Sequence, residues 1–426
     1  MDAYNIITII ILLAAAFGYI NYRFIKLPDT IGIMLLSIIV SLIAIALDNI
    51  FPTPFMQIIH SVSQIDFHDV VLKIMLSFLL FSAAIHLDVQ KLRNESRAII
   101  TFSTISMIIS TVLVGALFYA TTLIFDLNVK LIDCFLFGAL ISPTDPIAVI
   151  GILKKAKIPA TLETKISGES LFNDGVGVVL FITLYEIESM GMAKVSFPDV
   201  LWVFVKEAGG GLLFGWMLGY LCFWTLRSID NYVIEVMITL AFVMGGYALA
   251  GLLGVSGPLA MVIAGLITGS KGLTLGVSKV TLDYLSKFWE LMDAVMNAVL
   301  FLLIGLEMLT IPFSLTLLWL GCIAIVIVLL ARFISVSLPI IILNNKKTFE
   351  NNAITILTWG ALRGGISIAL ALSVPKEMNG DMFISVTYTV VIFSIMVQGL
   401  TIGRYARRLA QRESGKKQGF LPKRHS

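Results

Sequence analysis

The chain has 426 residues, of which 58% are hydrophobic and only 13% carry a charge. A soluble domain is usually about 45–50% apolar and about 25% charged, so this composition excludes a soluble globular protein. Because the 30 basic and 27 acidic residues cluster between long apolar runs, we expect an all-α polytopic membrane protein.

Thirteen apolar segments qualify as spans, since a helix needs about 20 mostly apolar residues to cross a bilayer. We expect the first to be a retained helix, because no small-residue cleavage site follows it. The stretch 51–68, with Pro52 and Pro54, is predicted to be a loop or an interfacial piece. The spans lie near residues 5–22, 30–47, 69–88, 96–119, 131–153, 163–187, 199–226, 232–253, 256–271, 285–308, 312–343, 351–374 and 382–403.

The distribution of basic residues tests this count, because cytoplasmic connections carry an excess of Lys and Arg. With the basic tail in the cytoplasm and thirteen spans, the N-terminus lies outside. Of the 30 basic residues, three then lie in outer connections and four within spans, which leaves 23 on the cytoplasmic side. The outer three are Lys130, Lys194 and Lys376, and the four within spans are Lys73, Lys206, Arg332 and Arg363.

The sixth segment places charged and polar side chains inside an apolar helix, in the run from Gly168 to Gly175. Ser170 and Asp174 are four residues apart and share a helix face, and Glu169 and Asn173 form a neighbouring pair. These hard oxygen ligands suit a small cation. A charge at the bilayer centre costs roughly 3 kcal/mol, which favours a functional role. The alternative is a polar network that only joins helices, and for Glu169 this alternative stays open, with Arg363 as its partner.

The fifth and twelfth segments are predicted to be interrupted. Pro143 and Pro146 flank Thr144 and Asp145, and two prolines should unwind the helix there, so that the carbonyl of Thr144 can coordinate a cation. The twelfth is interrupted around Arg363 by Gly360, Gly364 and Gly365. Breaks at matching places in two halves point to an inverted-repeat transporter with its site at the membrane midplane.

Two other classes of function fit the sequence less well. The run Gly254-Val255-Ser256-Gly257 matches intramembrane serine proteases, but the only later histidine is His425 in the tail, so no base is at hand. A cation channel would need no alternating access and would pass current. No phosphate loop or metal-ligand spacing is visible, and we expect no cofactor.

Several motifs together resemble the branch of the cation/proton antiporters that contains the bacterial NhaP-type antiporters and the eukaryotic sodium/proton exchangers. The two longest are the runs 142–149 and 168–175. The others are Gly254-Val255-Ser256-Gly257, Phe288-Trp289-Glu290, the run 303–307 and the run 359–364. They keep the family's order through most of the chain.

The resemblance implies an NhaA-like fold of thirteen spans that works as a homodimer in the cell membrane by an elevator-like motion. It implies interface parts at 1–95 and 188–311, core parts at 96–187 and 312–408, and a basic tail at 409–426. By motif position, Asp145 and Asp174 would carry the cation and the proton, with Ser170 and the Thr144 backbone as further ligands. Asn173 and a Glu169–Arg363 pair would be structural support.

The resemblance also bears on the ions. It implies electroneutral exchange of sodium or lithium for protons, because an Asn-Asp pair stands where other members have Asp-Asp. The family often has an acid after Leu-Phe in the third span, where this chain has Ser82, so ion choice or affinity is expected to differ. The same fold moving potassium, or several monovalent cations without discrimination, remains the alternative.

Overall fold

The computed structural model describes residues 3–48, 69–145, 150, 153, 159–190, 196–272, 278–308, 314–342 and 353–408. The predicted loop at 51–68, Pro146 and the basic tail at 409–426 lie outside these residues. Within them the chain is helical, and every one of the thirteen predicted spans corresponds to a helix.

We number the helices by span. Nine of the described helices are long and apolar enough to cross a membrane, and three shorter apolar helices accompany them. The bounds are α1 Tyr4–Ile25, α2 Asp29–Asp48, α3 Val70–Ile85, α4 Ser96–Ile124, α5 Leu131–Ile141, α6 Ala160–Met190, α7 Phe197–Arg227, α8 Tyr232–Leu253, α9 Gly257–Ser270, α10 Lys279–Glu307, α11 Leu315–Ile342, α12a Ala353–Trp359, α12b Gly365–Leu372 and α13 Gly380–Arg408.

Helices α7 and α9 pack closely along a row of small residues. A methyl group on Gly215 would lie 2.4 Å from the Ala260 carbonyl oxygen, and one on Gly219 would lie 3.0 Å from the Ala264 Cα. Small residues spaced four apart let two helix backbones approach, and the resulting van der Waals contact contributes to the attraction between helices in lipid. The short distance between α7 and α9 therefore depends on the absence of side chains at Gly215 and Gly219.

Two groups of helices emerge from the packing. In one, α4 packs against α5 and α11, and α11 against α13; in the other, α9 packs against α3 and α7, and α2 against α10. The groups meet where Gly175 of α6 faces Leu259 of α9 and Gly365 of α12b faces Leu300 of α10. The candidate site residues Asp145 and Asp174 line a cavity at this meeting point.

Candidate functional site

The two interrupted segments cross each other. Helix α5 ends at Ile141, and the backbone N–H of Asp145 donates to the Leu362 carbonyl at 2.8 Å, in the gap between α12a and α12b. In apolar surroundings an unwound backbone must find partners within the protein, and each break here supplies partners to the other. The predicted interruption of the twelfth segment is confirmed, as is the end of helix at the first proline of the fifth.

Helix α6 holds Thr144 from one side. The Asn173 side-chain amide donates to the Thr144 hydroxyl at 2.8 Å, and its oxygen accepts from the Thr144 N–H at 3.4 Å. The Ser170 hydroxyl donates to the Thr144 carbonyl. All three side chains are buried. Two predicted cation ligands, Ser170 and the Thr144 carbonyl, thus bond each other here and would have to turn towards an ion to bind it.

Arg363 has a different partner from the one predicted. Its Nη1 donates to the carbonyls of Ser142 and Pro143, the second at 2.9 Å, and its backbone N–H donates to the Ser394 hydroxyl at 3.0 Å. The carbonyl end of a helix carries partial negative charge, and a cation there is favourable. Arg363 therefore closes the end of α5 where the proline has stopped it.

The predicted Glu169–Arg363 pair is wrong, because Glu169 pairs with Arg332 of α11. The Arg332 Nη2 lies 2.5 Å from the Glu169 Oε1, and both side chains are almost fully buried. Arg332 also donates to the Leu357 carbonyl through Nε and Nη2. The sequence carried a signal for Arg332, an arginine inside an apolar segment, but Arg363 stood in the more conspicuous motif.

Asp145 and Asp174 line one cavity of about 580 Å³ between the two groups of helices. Asp174 is only 8% exposed, and the Asp145 carboxyl lies against Gly364, where a Cβ would come within 2.5 Å of its Oδ2. Much of the rest of the wall is apolar, with Leu80 and Leu171 among the lining residues. The two predicted carriers, from different segments, thus face the same space.

One end of the cavity lies near the connection between α3 and α4 and contains charged, solvent-exposed residues. Asp88, Lys91 and Glu163 line it there. Asp88 caps the short helix Val89–Asn94, and the backbone N–H groups of Lys91 and Gln90 lower the pKa of its carboxyl. Charged residues in water at this end, and carboxylates in an apolar wall further in, give the space a polarity suited to a cation.

The position that lacks the family's acid, Ser82, is buried in the same wall. Its hydroxyl donates to the Trp289 carbonyl of α10 at 2.8 Å. Two carboxylates on α10, Glu290 and Asp293, also line the cavity. Sequence reasoning did not single out Asp293, although an aspartate inside an apolar helix is itself the signal that could have found it.

Comparison with known proteins gives a consistent result. The family model described as sodium/hydrogen exchanger, transmembrane, matches residues 10–408. The chain is 45% identical to the Na(+)/H(+) antiporter NhaP of Pseudomonas aeruginosa, over 95% of this chain and 96% of that protein. It is 33% identical to the Na(+)/H(+) antiporter NhaH of Halobacillus dabanensis, over 95% of this chain and 97% of that protein.

The fold also matches a solved structure. The sodium proton antiporter MjNhaP1 from Methanocaldococcus jannaschii superposes with a TM-score of 0.74, over 96% of this chain and 99% of that one. Sequence identity in that superposition is 19%, so it speaks for the fold alone. The predicted all-α, NhaA-like class is confirmed by this match.

Proposed function

Because the chain belongs to the sodium/hydrogen exchanger family, we propose that it exchanges sodium ions for protons across the membrane, with Asp145 and Asp174 as the carriers. The chain is a secondary transporter and not an enzyme, and sodium is its cargo. One observation carries the assignment of the carriers. Two carboxylates from different helices line one cavity, beside the crossing of the two interrupted segments.

The mechanism follows from the cost of an unneutralised charge. An apolar environment strongly disfavours a bare carboxylate, so Asp174, at 8% exposure, needs either a proton or a cation. The two compete for the same oxygen atoms and do not bind together. Only the neutralised site crosses the apolar barrier, so cation movement one way is coupled to proton movement the other way without ATP.

The ligand set would form around Asp145 and Asp174. The Ser170 hydroxyl and the Thr144 carbonyl already lie in contact with each other, and a small rotation of the Ser170 side chain would release both towards a sodium ion. Asn173 holds Thr144 in place and adds no charge. With Asn173 neutral, the exchange is expected to be one for one and electroneutral.

The remaining expectations concern the whole molecule. Residues 96–187 and 312–408 would form a moving core, and 1–95 and 188–311 a fixed part that pairs with a second copy. The closer packing within the two groups of helices supports this division. The charged end of the cavity lies beside connections that the positive-inside rule puts in the cytoplasm, so the cavity would be open to the cytoplasm. The protein would lie in the cell membrane with its N-terminus outside.

A pH-jump assay in proteoliposomes tests the proposal. Sodium added outside vesicles that are acidic inside should raise the internal pH, and lithium and potassium in parallel vesicles give the selectivity. The Asp174→Asn variant, which keeps the size of the side chain but removes its charge, should lose exchange, by at least about 100-fold.

The controls separate the alternatives. With the membrane voltage clamped by valinomycin and potassium, an electroneutral exchanger keeps its rate, whereas a channel gives a current and no coupled proton flux. Full activity of Asp174→Asn would contradict the assignment of the carrier.

A further inference from the structure

A third acid faces the cavity that contains the two carriers. Asp293 of α10 lines this cavity and is half-buried, whereas Glu290 on the same helix is exposed. The groups that act on the Asp293 carboxyl include Asp145, His86 and Glu290, and the Asn297 side chain hydrogen-bonds it. Asp293 is therefore less exposed than Glu290, and it is close enough to Asp145 to interact with that carrier electrostatically.

The helix turn before Asp293 is fixed. Trp289 is fully buried, its indole N–H donates to the Thr239 hydroxyl at 3.2 Å, and its ring packs against Phe81 with centroids 4.7 Å apart. Its carbonyl accepts from Ser82 of α3. A side chain one turn further along this helix is consequently held at a defined place in the cavity wall.

The His86 ring and the Asn297 side chain, which both act on the Asp293 carboxyl, also contact backbone atoms. The His86 ring nitrogens lie 2.8 Å from the Ser82 carbonyl and 3.2 Å from the Ser286 carbonyl. The Asn297 amide donates to the Asp293 carbonyl at 2.8 Å. The His86 bonds join α3 to α10, and the Asp293 carboxylate, which also bonds the Asn297 side chain, lines the cavity.

We propose that Asp293 is an affinity-determining residue of the transport cavity, which draws a partly hydrated cation towards Asp145 and Asp174. The inference rests on the proposed exchange function and names a residue that acts on cation binding within it. A fixed negative charge in a cleft with low-dielectric walls raises the local cation concentration. It does not move with the carriers, so it acts on binding and not on the maximal rate.

Sodium-dependent exchange by the purified full chain in proteoliposomes tests this, measured over a range of sodium concentrations at alkaline pH, where protons compete least. In Asp293→Asn we expect the KM for sodium to rise by about three- to tenfold, from the loss of one charge in partly aqueous surroundings. The maximal rate should stay within about twofold of wild type. Asp293→Glu, which keeps the charge, should return the KM to near the wild-type value.

Asp283→Asn is the matched control. It makes the same change on the same helix at an exposed residue that pairs with Lys287 and does not line the cavity, so its KM should not change. If Asp293→Asn does not reconstitute as folded protein, Asp293→Ser removes the same charge and takes its place.

Three outcomes are distinguishable. A raised KM with a preserved maximal rate, reversed by Asp293→Glu, supports the inference. A wild-type KM in the charge-free variants, or a lost maximal rate at unchanged KM, overturns it. If the wild-type protein itself shows no sodium-dependent proton flux, the proposed function fails instead, whatever the Asp293 variants do.

Discussion

At the scale of single residues, the buried charges around α6 divide into two kinds. Glu169 and Arg332 neutralise each other, and Arg363 neutralises the carbonyl end of α5. Asp174 faces the cavity instead. A buried charge with a matched partner holds the structure together, whereas a carboxylate that faces a cavity can exchange its counter-ion. We expect the first kind to hold the polar crossing together and the second to act in the proposed transport.

Removal of Arg332 is expected to destabilise the protein strongly. Arg332→Met leaves the Glu169 carboxylate buried without its partner, and breaking a buried pair in this way typically costs about 3–5 kcal/mol. In the double variant Arg332→Met with Glu169→Gln no charge is stranded, and most of the stability should return. Thermal unfolding of the purified protein in detergent measures both.

Lys287→Met provides the comparison at an exposed ion pair with Asp283, where solvent screens the charges and the unfolding temperature should hardly change. An Arg332→Met protein that unfolds at the wild-type temperature would show that the Glu169 pair contributes nothing.

At the scale of helices, glycine decides which pairs can approach. Gly215 lies against the Ala260 backbone, whereas a methyl group on Gly245 would meet nothing within 4 Å. Both residues are inside long helices, α7 and α8, so their intrinsic effect on helix formation is the same. What differs is the space beside them, so a comparison of the two positions separates the effect of helix packing from that of helix propensity.

The pair gives a matched prediction. Gly215→Ala forces α7 and α9 apart, because the new Cβ would lie 2.4 Å from a backbone oxygen, and should cost about 1–3 kcal/mol. Gly245→Ala should be neutral or slightly stabilising. Thermal unfolding midpoints of the two proteins, purified side by side, provide the measurement. Equal midpoints would mean that α7 and α9 can move apart without any loss of stability, which would contradict the prediction.

At the scale of the whole molecule, the charged residues of the cavity wall are concentrated beside the connection between α3 and α4. Asp88, Lys91 and Glu163 lie at that end of the cavity, and the carriers lie in the apolar wall. If this end faces the cytoplasm, a water-soluble reagent should reach the wall of the cavity from that side alone.

Thiol labelling tests the direction of opening. In a Cys322→Ser background, which removes the exposed cysteine and leaves two buried ones, Ala83→Cys in the cavity wall should react with a charged methanethiosulfonate. It should do so in inverted vesicles and not in right-side-out vesicles. Leu213→Cys, which is 61% exposed but does not line the cavity, should react about tenfold more slowly, because apolar surroundings suppress the thiolate. Equal labelling of Ala83→Cys from both sides would contradict an inward-facing structure.

The sequence by itself determined the membrane class, the thirteen spans, the interruption of the twelfth segment and the presence of two aspartates inside apolar segments. Each is a local consequence of hydropathy, of glycine and proline chemistry, or of the cost of a charge in lipid. Which cation meets which anion was not local. Arg332 and Arg363 both lie in apolar segments and are both buried, and only the three-dimensional crossing of α5, α11 and α12 places one against Glu169 and the other against the carbonyls of α5. The same holds for Asp293, whose place in the cavity depends on how α10 packs against α3. A helix face has no defined neighbour until the helices have packed.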